Sequence, residues 1–216
     1  IGAIAHLYQY FECPIYATPF TAFLIREKLK EAGMAKVAPV IEIQTGSDLH
    51  LDGFHITYLP ITHSIPEAHV LKIKTDVGVI VHTGDWKLDN TPLVGSVTDE
   101  LGIKTIGNEG VLALVCDSTN IFVEGRSGSE GDVRDNLINL ISKQRGRVAV
   151  ACFASNVARL ATCYEAAAKT GRQLVLVGRS LERMDQAARY AGYLKGTPKF
   201  LSEESAEKLP PEQVLI

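Results

Sequence analysis

The sequence predicts an α/β chain of two regions, on two observations. Short apolar runs crowd residues 41–81, and from Asp99 onward apolar runs alternate with amphipathic segments of helical length. Strands alternating with helices of that length imply parallel pairing and right-handed crossovers. Composition sets the same bounds. With 46% hydrophobic and 22% charged residues over 216 positions, there is room for one large domain or two small ones with ordinary soluble cores.

Taken in order, Pro14 to Ala17 is a short strand, and Thr18-Pro19 opens a helix with Thr18 at the N-cap and Pro19 in the first turn. Phe20, Phe23, Leu24 and Leu29 fall near one face, and Gly33 is the stop. A strand meander follows: Ile41 to Ile43, His55 to Tyr58, Val70 to Lys74 and Val77 to Val81. In the second region Val111 to Cys116, Val148 to Phe153 and Leu174 to Val177 are strands. Helices are expected over Asp132 to Gln144, with Val133, Leu137, Leu140 and Ile141 inward, over Asn156 to Thr170, closed by Gly171, and over Met184 to Tyr193.

Several function classes are excluded or disfavoured at once. The longest apolar runs are too short to cross a bilayer and nothing has the form of a signal peptide, so a cytoplasmic protein with no membrane partner is expected. Cys13, Cys116, Cys152 and Cys163 show no C-x-x-C spacing. Cys116 and Cys152 lie in apolar runs and are expected as buried, reduced thiols. A net charge of −3 argues against a broad nucleic-acid-binding surface while leaving room for a local basic cleft. The chain opens on Ile1 without a methionine and closes on Val214-Leu215-Ile216, the first half of a buried strand, so it has the form of a fragment.

The candidate chemistry sits at strand ends. His63, in Thr62-His63-Ser64-Ile65-Pro66-Glu67, and Asp85, in His82-Thr83-Gly84-Asp85-Trp86, each stand just past an apolar run, and a histidine and a carboxylate so placed can share a cation. Three or four protein ligands are normal for zinc, so the pair is only part of a site. Asp117-Ser118-Thr119-Asn120, Ala154-Ser155-Asn156 and Gly178-Arg179-Ser180 each follow an apolar strand, at the edge where open α/β sheets bind ligands. Ser155 or Asn156 would cap the next helix, whose N-terminus suits a phosphate, and Arg179 could fork onto the same anion.

In order and spacing these segments, with Pro14 to Pro19 and Phe153 to Asn156, resemble ribonuclease J, a metallo-β-lactamase-fold nuclease carrying an inserted β-CASP domain. The resemblance implies an α/β fold in which a partial metallo-β-lactamase αββα sandwich, residues 1–127, precedes the N-terminal part of a β-CASP domain with a parallel sheet, residues 128–216. It implies a zinc-dependent RNA phosphodiester hydrolase with 5′-exonuclease and endonuclease activity, forming homodimers or homotetramers. His63 resembles a ligand of one zinc and Asp85 the carboxylate bridging both, with Asp85 and Asp117 as the catalytic carboxylates. Ser155, Asn156 and Arg179 would face the RNA. In such a centre paired metals generate a hydroxide from water and hold the phosphate oxygens for in-line attack.

The chain also departs from the family. The H-x-H-x-D-H motif, the Gly-Ser-Gln-Gly segment and the later histidine motifs are absent, so these residues alone should bind a zinc pair weakly and be inactive. Structural roles compete at each position. A lone strand-end histidine is more often simply hydrogen-bonded, Asp85 and Asp117 can serve turns, Ser155 and Asn156 can be a plain cap, and Arg179 a solvated charge. His82 is expected to be structural, His6, His50, His55 and His69 surface or satisfied, and Trp86 packed beneath the Asp85 turn. Two further functions stay open: a metallo-β-lactamase-fold hydrolase of a small ester or thioester, and a non-catalytic RNA-binding or assembly module.

Overall fold

A computed structural model describes residues 1–125 and 127–216. The chain divides into two compact units, the first of residues 1–61, 67–86 and 98–123 and the second of residues 62–66, 87–97 and 124–216. The α/β class and the parallel pairing are as the sequence implies.

The first unit opens with α1 (Ile4–Phe11), β1 (Ile15–Ala17), α2 (Pro19–Glu31) and β2 (Val40–Glu42). Ala22, Ile25 and Leu29 repeat at helical spacing along α2 and close a small core with Tyr8, Ala17 and Ala38. Pro19 takes the first helical position, but the Thr18 side chain makes no capping bond. The Glu67 carboxylate does the capping, accepting the Phe20 N–H at 2.9 Å.

The main sheet runs β3 (Asp48–Leu51), β4 (Phe54–Pro60), β5 (His69–Thr75) and β6 (Gly78–His82), all antiparallel neighbours. After α3 (Glu100–Glu109), β7 (Ala113–Val115) returns parallel to β6. This order corrects the expected meander. The run at Ile41 pairs in parallel with β1 as β2, and Asp48–Leu51 takes the sheet edge instead. The cause is the tight Asp52-Gly53 turn with Gly53 at φ +76°, which joins residues 48–51 directly to β4 as a hairpin.

A second correction concerns the Val111 to Cys116 run, expected as a strand with Cys116 as a buried thiol. β7 has β6 on one side only, and Leu112, Leu114 and Val115 are 64%, 62% and 51% exposed. Cys116 is exposed and Cys152 half-buried, so neither is the core thiol its apolar neighbours suggest.

In the second unit α4 (Glu130–Ser142) packs on α5 (Val157–Thr170), followed by β8 (Gln173–Leu174), α6 (Arg179–Tyr190), α7 (Glu203–Glu207) and β9 (Val214–Leu215). β9 lies parallel to β8 and, through a bridge at Leu215, to Val148, and both its residues are fully buried. The expected strands at 148–153 and 174–177 shrink to a bridge and a two-residue ladder. Helix α6 starts at Arg179 rather than Met184, and Leu140 of α4 is exposed while Ile141 is buried. Arg172, 6% exposed, satisfies its buried charge on the carbonyls of Gly146, Gln144 and Val214 at 2.8–3.1 Å. No helix of the described residues is long and apolar enough to cross a membrane.

Candidate functional site

In the first unit, the parallel pairing of β6 and β7 brings the turns that follow them to one sheet edge. The Thr83 N–H donates to Val115 O at 3.0 Å, extending the ladder by one bond. The Asp117 N–H then donates to Thr83 Oγ1 at 3.1 Å. Gly84 turns the chain at φ +60°, a left-handed conformation that glycine adopts at little cost, and its N–H donates to His82 Nδ1 at 3.0 Å. His82 thus holds a turn, as expected. Asp85, next along, is exposed.

Trp86 does more than pack. Its indole N–H donates to Asp117 O at 3.2 Å, joining the Asp85 and Asp117 turns. The half-buried Asp117 carboxylate accepts the Thr119 N–H at 3.0 Å and the Thr119 hydroxyl, an Asx turn. The turn-forming role considered for Asp117 is therefore realised.

The second unit carries His63. Thr62 Oγ1 donates to Lys87 O at 2.5 Å and accepts the Asp89 N–H at 3.1 Å, fixing the chain just before His63. His63 is half-buried, with Nδ1 3.2 Å from Ser64 Oγ. The Ser64 carbonyl accepts the N–H of Val157, the first residue of α5, at 3.2 Å. Asn156 is the cap of that helix, its Oδ1 accepting the Arg159 N–H at 2.9 Å, while Ser155 stays exposed beside it. The fold therefore brings the His63 turn and the Ser155-Asn156 loop together. Arg179 is exposed at the start of α6, and no hydrogen bond or ion pair among the described residues joins it to Ser155 or Asn156.

Sequence reasoning missed the polar cluster behind this arrangement. Asp89 is 5% exposed, and its carboxylate accepts the N–H groups of Thr91 at 3.0 Å and Glu130 at 3.1 Å, with Lys87 Nζ at 3.3 Å. Burial pushes the Asp89 carboxyl up, but the Glu130 and Thr91 N–H donors with Ser129 and Lys87 outweigh it and hold the pKa at about 2. Glu130 in turn faces Lys87 Nζ at 3.7 Å and Arg159 Nη2 at 3.4 Å. Only the position of Asp89, four residues past Asp85, hinted at it; Lys87 and Thr91 are its sequence neighbours, but Glu130 comes from α4 and Arg159, which faces Glu130, from α5. His69 is a further difference. Burial pushes its imidazole down, and Nε2 is buried without a partner among the described residues, so it is not a satisfied histidine.

A protein-held zinc ion takes three or four side-chain donors. Among the described residues no three His, Cys, Asp or Glu side chains converge closely enough to hold an ion.

Comparison with known proteins identifies relatives of the chain. Residues 145–216 match the family model "Ribonuclease J, beta-CASP domain". Over the whole chain, Ribonuclease J of Sinorhizobium meliloti is 39% identical, and this chain covers 38% of it. Ribonuclease J2 of Bacillus subtilis is 35% identical and Ribonuclease J of Mycobacterium tuberculosis 38% identical, each again matching all of this chain and 39% of its own length. The chain thus spans somewhat over a third of these relatives. A solved structure of a protein of unknown function from Enterococcus faecalis shares the fold, with a TM-score of 0.64 at 15% identity, covering 94% of this chain and 53% of its own.

Proposed function

From its place in the ribonuclease J family, to which this chain belongs, we propose that it is the middle of a metal-dependent RNA hydrolase. The single observation that carries the reading is the joined pair of turns at the ends of β6 and β7, with exposed Asp85 tethered through Trp86 to Asp117. That strand-end edge is where α/β sheets present catalytic groups.

In this proposal residues 1–127 form the metallo-β-lactamase part and 128–216 the β-CASP part. His63 and Asp85 are the metal ligands the chain supplies, zinc being the intended ion. Because they do not by themselves fit a zinc pair, the remaining ligands belong to other parts of the whole protein. Asp85 presents its carboxylate to the reacting phosphodiester centre, and Asp117 braces the turn that holds it. Ser155, Asn156 and Arg179 contact the RNA backbone, with the capped start of α5 offering its positive end to a phosphate. The whole protein acts in the cytoplasm as a homodimer or homotetramer, as 5′-exonuclease and endonuclease. The 216 residues alone are inactive in this reading.

The test is Asp85→Asn in the whole protein, assayed on 5′-phosphorylated RNA. Cleavage should fall to background with RNA binding largely kept. Unchanged cleavage removes Asp85 from the site, and hydrolysis of a thioester or nitrocefin in place of RNA replaces the ribonuclease reading with the small-substrate one.

A further inference from the structure

We propose that Glu130 is a positioning residue that locks the His63 turn to the start of α5, so that the proposed metal ligand and the proposed RNA-contacting loop move as one body. The inference rests on the ribonuclease reading above and adds to it a residue that neither sequence motif nor family match singles out.

The Glu130 side chain is only 12% exposed and stands between two cations. Oε2 lies 3.4 Å from Arg159 Nη2, at the third position of α5, and Oε1 lies 3.7 Å from Lys87 Nζ. The Glu130 backbone N–H donates to Asp89 Oδ2 at 3.1 Å. Lys87 and Asp89 are the residues whose backbone groups bracket Thr62 Oγ1, one accepting from it and one donating to it. Thr62 immediately precedes His63. A continuous polar path thus runs from the α5 start through Arg159, Glu130 and the Lys87-Asp89 segment to His63. A second, shorter link closes it into a ring: the Val157 N–H on the Ser64 carbonyl.

The ring depends on Glu130 at its weakest point. Arg159 Nε is buried with no partner, and Glu130 is the carboxylate that faces its guanidinium among the described residues. Removing that charge leaves Arg159 without the carboxylate that faces it in a mostly buried setting, where an uncompensated charge is costly, and leaves Lys87 paired with Asp89. Arg159 then seeks water, and the Lys87-Asp89 segment that receives Thr62 keeps its backbone tie to α4 at Asp89 but loses the side-chain tie through Lys87. Exposed Ser155 and the backbone cap that Asn156 makes on the Arg159 N–H do not involve the Glu130 side chain, so the grip on RNA survives while the alignment of His63 does not. A shift of about 1 Å in such a group costs on the order of a hundredfold in rate.

The experiment uses the whole protein. Glu130→Gln keeps the side-chain volume and removes the charge. Cleavage of 5′-monophosphorylated RNA should lose roughly 10- to 100-fold in kcat with KM nearly unchanged, and the Kd for an uncleavable 2′-O-methyl RNA should stay within about twofold. Arg159→Gln breaks the same bridge from the helix side and carries the same expectation, and it serves alone if Glu130→Gln does not fold. Combined, the two substitutions should cost no more than either one, because they cut one path. A folded Glu130→Gln protein with wild-type kcat overturns the proposal. So does a rise in KM at constant kcat, or effects of the two substitutions that multiply. If Asp85→Asn abolishes cleavage and Glu130→Gln does not, the positioning role fails alone; if Asp85→Asn still cleaves, the ribonuclease reading fails first.

Discussion

Trp86 donates its indole N–H to the backbone carbonyl of Asp117 at 3.2 Å, linking residues 31 positions apart in the chain. Trp86 is the single tryptophan and is 36% exposed, so the bond is accessible to water. Trp86→Phe keeps an aromatic ring and deletes the donor. Because solvent can replace the lost partner, the expected cost is small, about 0.5–1 kcal/mol. A urea midpoint followed by circular dichroism measures it. A loss several times larger would mean that the link organises both turns rather than merely decorating them.

Much of this arrangement was legible in the sequence, and the parts that were not share one physical cause. The His63 and Asp85 turns follow from local pattern: apolar runs, then Pro60 or Gly84. The α2 start is half legible, since Thr18-Pro19 marks its position correctly. Its cap was not, because the acceptor is Glu67, 47 positions away, and no window along the chain contains both ends of that bond. The same holds for Asp89, whose donors lie on Thr91 and on the distant Glu130. β7 failed differently. Its apolar run suggests a buried Cys116, but burial belongs to neighbours rather than to the strand, and among the described residues β7 has one neighbour in the sheet.

Asp89 predicts a pH dependence. Its carboxyl ordinarily titrates near 3.8 and is held at about 2 in the fold. A depressed folded value means that ionised Asp89 stabilises the fold at neutral pH, fully above about pH 5, and that this is lost as pH falls toward 2. The shift corresponds to roughly 2 kcal/mol. Asp89→Asn should therefore destabilise the protein by about that amount at pH 7, and the gap between variant and wild type should narrow steadily below pH 4. Denaturant midpoints across pH 2–7 check it; a gap independent of pH would assign the loss to packing.

The cysteines should separate by reactivity. Cys13 and Cys116 are exposed, Cys152 is half-buried, and Cys163 is buried within α5. Burial pushes the Cys163 thiol up to about 12, and burial also raises Cys152. Since the thiolate is the reacting species, Ellman's reagent at pH 8 should label Cys13 and Cys116 quickly and Cys163 only after denaturation. Mass mapping of the labelled peptides reads the order. Fast labelling of Cys163 in the native protein would show that α5 opens on the timescale of the reaction.

Metal binding gives the sharpest check on the donor count. Zinc held by proteins takes three or four side-chain ligands, and the tight binding of structural sites requires the full set in deprotonated form. The proposed ligands His63 and Asp85 are two, and no group of three donors occurs among the described residues. His63 Nδ1 is moreover engaged with Ser64 Oγ, leaving Nε2 as the nitrogen for an ion. The 216-residue chain, equilibrated with zinc and then passed through gel filtration, should retain well under one zinc per chain by elemental analysis. His63→Ala and Asp85→Asn should leave that value unchanged in this chain while lowering the metal content of the whole protein. Two zincs retained by the 216 residues would mean that the fold rearranges to recruit further donors, with His69, whose Nε2 is buried and unpartnered, the first to examine.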